Sequence, residues 1–253
     1  MRKKKNRNLI KIIIALIILV IVAAYFIVSR SLQNTLREEA EHSAGDEQQA
    51  AEEQAEKEED EQARLEKIEE EKNQWYLILV NNQNAMPDDF DIETVEVEDG
   101  YYIDARVCDA LQEMLADCRE AGYSPRLIST FRTRETQQYL YDHTANKADT
   151  AVPGHSEHEC GLAADIVDAG SLGWGDPLID AQEDMPAQQW LMEHCQDYGF
   201  ILRYPKDKED ITEIIYEPWH YRYVGKEHAA IIMSNGICLE EYLKNMQEYY
   251  PAQ

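Results

Sequence analysis

Residues 12–28, IIIALIILVIVAAYFIV, run for 17 positions without a charge, and this stretch constrains the chain more than any other. A helix of roughly 17–20 such residues, rising about 1.5 Å each, spans the hydrocarbon core of a bilayer. Residues 2–11 carry Arg2, Lys3, Lys4, Lys5, Arg7 and Lys11 and no acid. A cleaved signal peptide has a shorter apolar run and a small-residue cleavage site, whereas this run continues through Tyr25, Phe26, Ile27 and Val28. The expectation is an uncleaved anchor over residues 1–30, with the basic flank in the cytoplasm and everything after Arg30 outside.

Residues 31–73 form a compositional break. Within it, 37–72 hold 16 Asp/Glu against 5 Lys/Arg, with Ala and Gln filling most other positions. Such a segment has nothing with which to build a core and reads as a solvated stalk, partly helical because Ala, Glu, Gln and Lys favour helix. Leu65 and Ile68 suit a coiled-coil seam, but the earlier positions offer only Ala.

From residue 74 to 253 the chain is mixed apolar and polar, long enough for one domain with its own core, and carries no internal repeat. From Trp75 onward, 12 Lys/Arg face 34 Asp/Glu, a net charge of −22, which argues against a nucleic-acid partner. Residues 104–122 predict an amphipathic helix, with Val107, Leu111, Met114, Leu115 and Cys118 at helical spacing and Gly122 as its stop. Further helices are expected at 134–144, 186–198, 226–234 and 239–248. Strands are expected at 126–131, 162–167 and 200–205, one or two strands over 213–224, and 75–80 is a strand or buried run. Without a regular strand–helix alternation, this predicts an α+β domain with a small, mainly antiparallel sheet and flanking helices.

Two segments carry side chains suited to a metal. In SEHECGLAAD (156–165), His158 and Asp165 are seven positions apart, about 23 Å along a straight strand, so the chain must bend between them, and Gly161 is placed to allow it. Asp165 interrupts the apolar run LAADIV, and a buried carboxylate needs a metal or a partner. A hydrogen-bonded or capping Asp is the plainer reading of that residue alone. In EPWHYRYVG (217–225), Pro218 excludes a helix interior and puts Glu217 and His220 on a strand or its edge. A histidine beside Trp219 is by itself more often a core residue, and it is the conjunction of segments that favours a metal.

Together with STFRTRETQ (129–137) and PGHSEHECGLAAD (153–165), that segment makes the chain resemble the VanY-type D-alanyl-D-alanine carboxypeptidases. These belong to a zinc peptidase group that includes VanX-type dipeptidases and L,D-carboxypeptidases. The family pattern S-x-H-x6-D followed by E-x-x-H is matched in full, and the resemblance covers roughly residues 77–243. It implies that His158, Asp165 and His220 bind Zn²⁺ and that Glu217 is the general base. It also implies that Arg132 stabilises the oxyanion or grips the substrate carboxylate, and that Ser156 and Gln137 face the substrate. The implied partner is the peptidoglycan stem peptide, losing its C-terminal D-alanine. Alternatives are an L,D-carboxypeptidase on tetrapeptide stems and a non-catalytic wall-binding module, the latter having no use for a general base. Arg203 and Arg222 are further candidates for reading a free carboxylate.

Five cysteines, Cys108, Cys118, Cys160, Cys195 and Cys238, lie in a domain expected outside the cytoplasm, where disulfides persist. Cys108 and Cys118, about 15 Å apart on one helix, cannot join. Cys118 with Cys238 and Cys160 with Cys195 are the expected neighbours, and Cys160 is placed for a disulfide rather than as a zinc ligand.

Overall fold

The computed structural model describes residues 2–145, 147, 150–173 and 175–249. The chain divides into two compact units, one reaching Ala63 and the other running from Arg64. The first helix, α1 (Arg2–Lys72), takes in the apolar run and the acidic segment. The apolar side chains from Ile14 to Val28 are exposed along a helix long and apolar enough to cross a membrane. In the acidic part, pairs such as Arg37 with Glu41 and Gln54 with Glu58 meet at helical spacing, which supports helix without any core.

The last turns of α1 belong to the second unit, in which Ile68 is buried against Leu77, Ile201, Val224 and Ile232. Ile68 thus serves the domain core. Residues 75–80 do not form a strand: Trp75–Leu77 makes one 3-10 turn, and the chain then pairs only through an isolated bridge between Asn81 and Asn84.

Next, β1 (Thr94–Glu98) and β2 (Tyr101–Asp104) form an antiparallel hairpin closed by Asp99 and Gly100, whose φ values are 51° and 83°. Asp104 ends the hairpin and caps α2 (Ala105–Glu120) by accepting the Arg106 N–H at 2.8 Å. The five apolar residues expected on the inner face of α2 are all buried. They rest on the main sheet, built from β3 (Pro125–Ser129), β4 (Ala163–Asp168), β5 (Phe200–Leu202) and β6 (His220–Tyr223) in the order β3-β4-β6-β5, antiparallel throughout. β4 is central and buried at all six positions, which explains its near-continuous apolar sequence.

The helices α3 (Arg134–His143), α4 (Pro186–His194), α5 (Glu209–Thr212), α6 (Lys226–Asn235), α7 (Leu239–Lys244) and α8 (Met246–Tyr249) complete the domain. Of the one or two strands expected over 213–224, one forms, β6. Glu213 takes a left-handed φ of 59°, Pro218 has no N–H to give a ladder, and the His220 N–H closes a turn onto the Glu217 carbonyl at 3.2 Å. Gln188 of α4 holds this turn by donating to the Pro218 carbonyl and to the Tyr221 hydroxyl.

The disulfides expected from an extracytoplasmic setting are corrected: all five thiols are free and buried. Cys108, Cys118, Cys160 and Cys195 lie in the main core as small apolar groups. Burial pushes the thiols of Cys118, Cys160 and Cys195 up to about 12 and that of Cys238 to about 11, so none is poised as a thiolate.

Candidate metal centre

The turn leading into β4 brings the first histidine into place. Backbone bonds from Glu159 to Ser156 and from Gly161 to His158 coil residues 156–161, and Gly161 leaves the coil with a φ of 64°. A side chain at Gly161 would also collide, its Cβ lying 2.7 Å from Ile92 Cδ1 and 2.9 Å from the Asp104 backbone nitrogen. The His158 ring is buried, and its Nδ1 sits 2.8 Å from the Thr130 carbonyl, an acceptor only. That bond puts the proton on Nδ1 and leaves Nε2 to face Asp165 Oδ2 at 3.3 Å.

Strand register supplies the other two. Asp165 and His220 are direct partners across β4 and β6, and His220 Nδ1 lies 3.1 Å from Asp165 Oδ1. One ligand atom from each of His158, Asp165 and His220 lies within 4.8 Å of the others. Glu217, three residues before His220 on the turn, places Oε2 at 3.5 Å from the same Nδ1.

Burial and charge explain how these groups titrate. Burial lowers His158 and the Arg132 guanidinium adds to it, bringing the ring to about 4. Burial also disfavours the charged form of His220, but Asp165, Glu157 and Glu217 outweigh it and raise the ring to about 9. Asp165 is pulled below the usual carboxylate range because the two imidazoles outweigh the cost of burying it. Asp165 Oδ1 is buried without a hydrogen-bond partner. Two imidazoles and a carboxylate converging on one point, one oxygen left unsatisfied, fit a Zn²⁺ ion with a fourth position open.

The centre lies on the wall of a cavity of about 620 Å³, which is also lined by Arg132, Ser156, Tyr204, Glu217 and Trp219. Leu140, Leu178, Ile179 and Ile214 give it an apolar side. Arg132 is fixed by two bonds, Nε to Gln137 Oε1 at 2.6 Å and Nη1 to Ser129 Oγ at 2.9 Å. Gln137, expected to face the substrate, is instead fully buried behind the cavity wall, its amide also donating to the Ala151 carbonyl at 2.7 Å. Its contact is with Arg132.

Arg203 and Arg222, candidates for gripping a substrate carboxylate, are turned inward and fully buried. Both hold Glu157 Oε1, at 2.7 Å and 2.8 Å, and Arg203 also forks onto Glu240 at 2.9 Å and 2.6 Å. Arg222 spends its remaining donors on the carbonyls of Tyr76, Ile78 and Tyr223. Glu157 is well below the usual carboxylate range, since the two guanidiniums outweigh its burial. In the sequence, the one signal for Glu157 is its place one position before a candidate ligand. His155 points away, toward the Asn81 carbonyl at 2.7 Å.

The profile of the VanY family, described as D-alanyl-D-alanine carboxypeptidase, matches residues 100–226. A D-alanyl-D-alanine carboxypeptidase of Enterococcus faecalis is 39% identical over 193 residues, covering 70% of this chain and 69% of that protein. This chain belongs to the VanY family. Among solved VanY structures, a mutant of a vancomycin-resistance D,D-pentapeptidase in complex with Zn(II) is 40% identical with a TM-score of 0.59, covering 67% of this chain and 99% of that one. VanYB in complex with D-alanine-D-alanine is likewise 40% identical, with a TM-score of 0.61 over 68% of this chain and 99% of that one. The α+β fold and the zinc-peptidase resemblance read from the sequence agree with these matches.

Proposed function

We propose that this chain is a membrane-anchored zinc D,D-carboxypeptidase that removes the terminal D-alanine from peptidoglycan stem peptides. The observation that carries the reading is the convergence of His158, Asp165 and His220 within 4.8 Å on a cavity that also presents Glu217 and Arg132. A binding module needs no such set.

His158 Nε2, His220 Nδ1 and an Asp165 oxygen would hold Zn²⁺, which lowers the pKa of water and polarises a carbonyl. Glu217, beside the centre and on the cavity wall, takes the proton from the attacking water and returns it to the leaving amine. Arg132, held at two of its nitrogens, has a preset direction. Its cavity side donates to the oxygen that becomes negative or to the terminal carboxylate of the substrate. Burial lowers the Arg132 guanidinium, which Asp165 and Glu217 partly offset, so an added anion there gains from a poorly solvated cation. Ser156 lines the same cavity, which supports a contact with the peptide.

The basic flank and the exposed apolar helix support an anchor with the catalytic unit outside the cell. Protease added to cells stripped of their wall should digest the domain while a cytoplasmic control survives. Protection would place the domain inside.

The activity is tested by incubating the zinc-loaded full chain with pentapeptide and tetrapeptide stems and reading the products by mass. Loss of one D-alanine from the pentapeptide is expected. Cleavage of the tetrapeptide alone would assign it to the L,D class.

A further inference from the structure

The two histidines of the centre present opposite ring nitrogens to it, and only one is explained by the backbone. His158 is set by the Thr130 carbonyl on its Nδ1. His220 faces the centre with Nδ1, and its Nε2 points the other way, to Glu157 Oε2 at 3.5 Å. Both His220 Nε2 and Glu157 Oε2 are buried without a hydrogen-bond partner, and each is the polar atom that faces the other. The second Glu157 oxygen is taken by two guanidiniums that are themselves fully buried. Two fixed cations on one side and an imidazole on the other leave that carboxylate a single role.

We propose that Glu157 is the positioning carboxylate of the metal centre: it accepts the Nε2–H of His220 and thereby fixes Nδ1 as the atom that binds the metal. An imidazole presents a lone pair on one nitrogen only when its proton sits on the other, so the backing acceptor selects the tautomer and holds the ring plane. Arg203 and Arg222 hold the other oxygen of that carboxylate in place without touching the centre. Arg222 also grips the carbonyls of Tyr76 and Ile78, which ties the first turn after α1 to the same network.

The inference rests on the zinc reading above, and its test separates the two. Zinc affinity is measured on the full chain in detergent by competition with a chromophoric chelator. Glu157→Gln removes the charged acceptor and should weaken zinc by about 10–100-fold, the usual effect of losing a partner behind a metal-binding histidine. Glu240→Gln removes the other carboxylate on Arg203, does not face His220, and should leave the affinity as in wild type. Wild-type affinity in Glu157→Gln, or equal losses in both variants, would overturn the role. Should Glu157→Gln not fold, imidazole ¹⁵N resonances of the zinc-loaded wild type decide: metal on His220 Nδ1 with the proton on Nε2 is expected, and metal on Nε2 overturns the proposal. A wild-type chain that takes up no zinc would sink the zinc reading itself.

Discussion

Asp165 and His220 are register partners across β4 and β6, and their side chains meet with Oδ1 and Nδ1 3.1 Å apart. Two candidate ligands 55 positions apart in sequence are therefore placed by one antiparallel ladder, while the third, His158, comes from the turn leading into β4. A strand slipped by one residue would send His220 to the opposite face.

Alanine at His158, Asp165 or His220 should each abolish zinc retention, because three protein ligands are the minimum for a catalytic site of this type. Metal analysis of the purified variants checks this. Full occupancy in His220→Ala would refute the ligand set.

Glu217 is expected to act on the proton and not on the metal. Glu217→Ala should keep its zinc and lose at least about 10²-fold in kcat, the usual size of a general acid–base contribution. Loss of the metal with the carboxylate would make Glu217 a ligand.

Arg132→Ala should retain zinc and lower kcat/KM by about 10²–10³-fold if its guanidinium faces the developing negative charge. Amidating the substrate C-terminus should slow the wild type by about 10-fold, or roughly 1.4 kcal/mol of transition-state binding. Equal rates on acid and amide would show that no arginine reads the terminal carboxylate. Gln137→Ala should reproduce part of the Arg132 defect, since Gln137 touches Arg132 and does not line the cavity.

Away from the centre, Glu240 is held below the usual carboxylate range because Arg203 and Asn81 outweigh its burial. A carboxyl group with a lower pKa folded than unfolded binds fewer protons in the folded state, so its contribution is present above the ordinary carboxylate range and is lost as pH falls through the folded value. Thermal unfolding of Glu240→Gln should therefore show a smaller loss of stability between neutral and acid pH than wild type, together with a lower melting temperature at neutral pH. An unchanged acid slope would remove Glu240 from the account.

Much of this was readable in the chain. The α2 stripe from Val107 to Cys118 and the apolar β4 both follow from burial that repeats at a fixed period, and the bend at Gly161 follows from the reach a strand cannot close. The β1–β2 hairpin lies where hydrophobic periodicity is weak, yet Asp99-Gly100 is a turn signal with a physical basis in positive φ. Other features had no local signature. Whether Arg203 and Arg222 point into the cavity or the core depends on Glu157 and Glu240 brought up from elsewhere, and a cysteine count cannot say that the sulfurs pack separately.

D-alanine release from a pentapeptide stem ending in D-Ala-D-Ala is decisive when followed with the full chain before chelation, after chelation and after zinc is restored. One D-alanine per peptide is expected, lost with the metal and recovered with it. Release that persists in the chelated protein, or none from the zinc-loaded one, would contradict it.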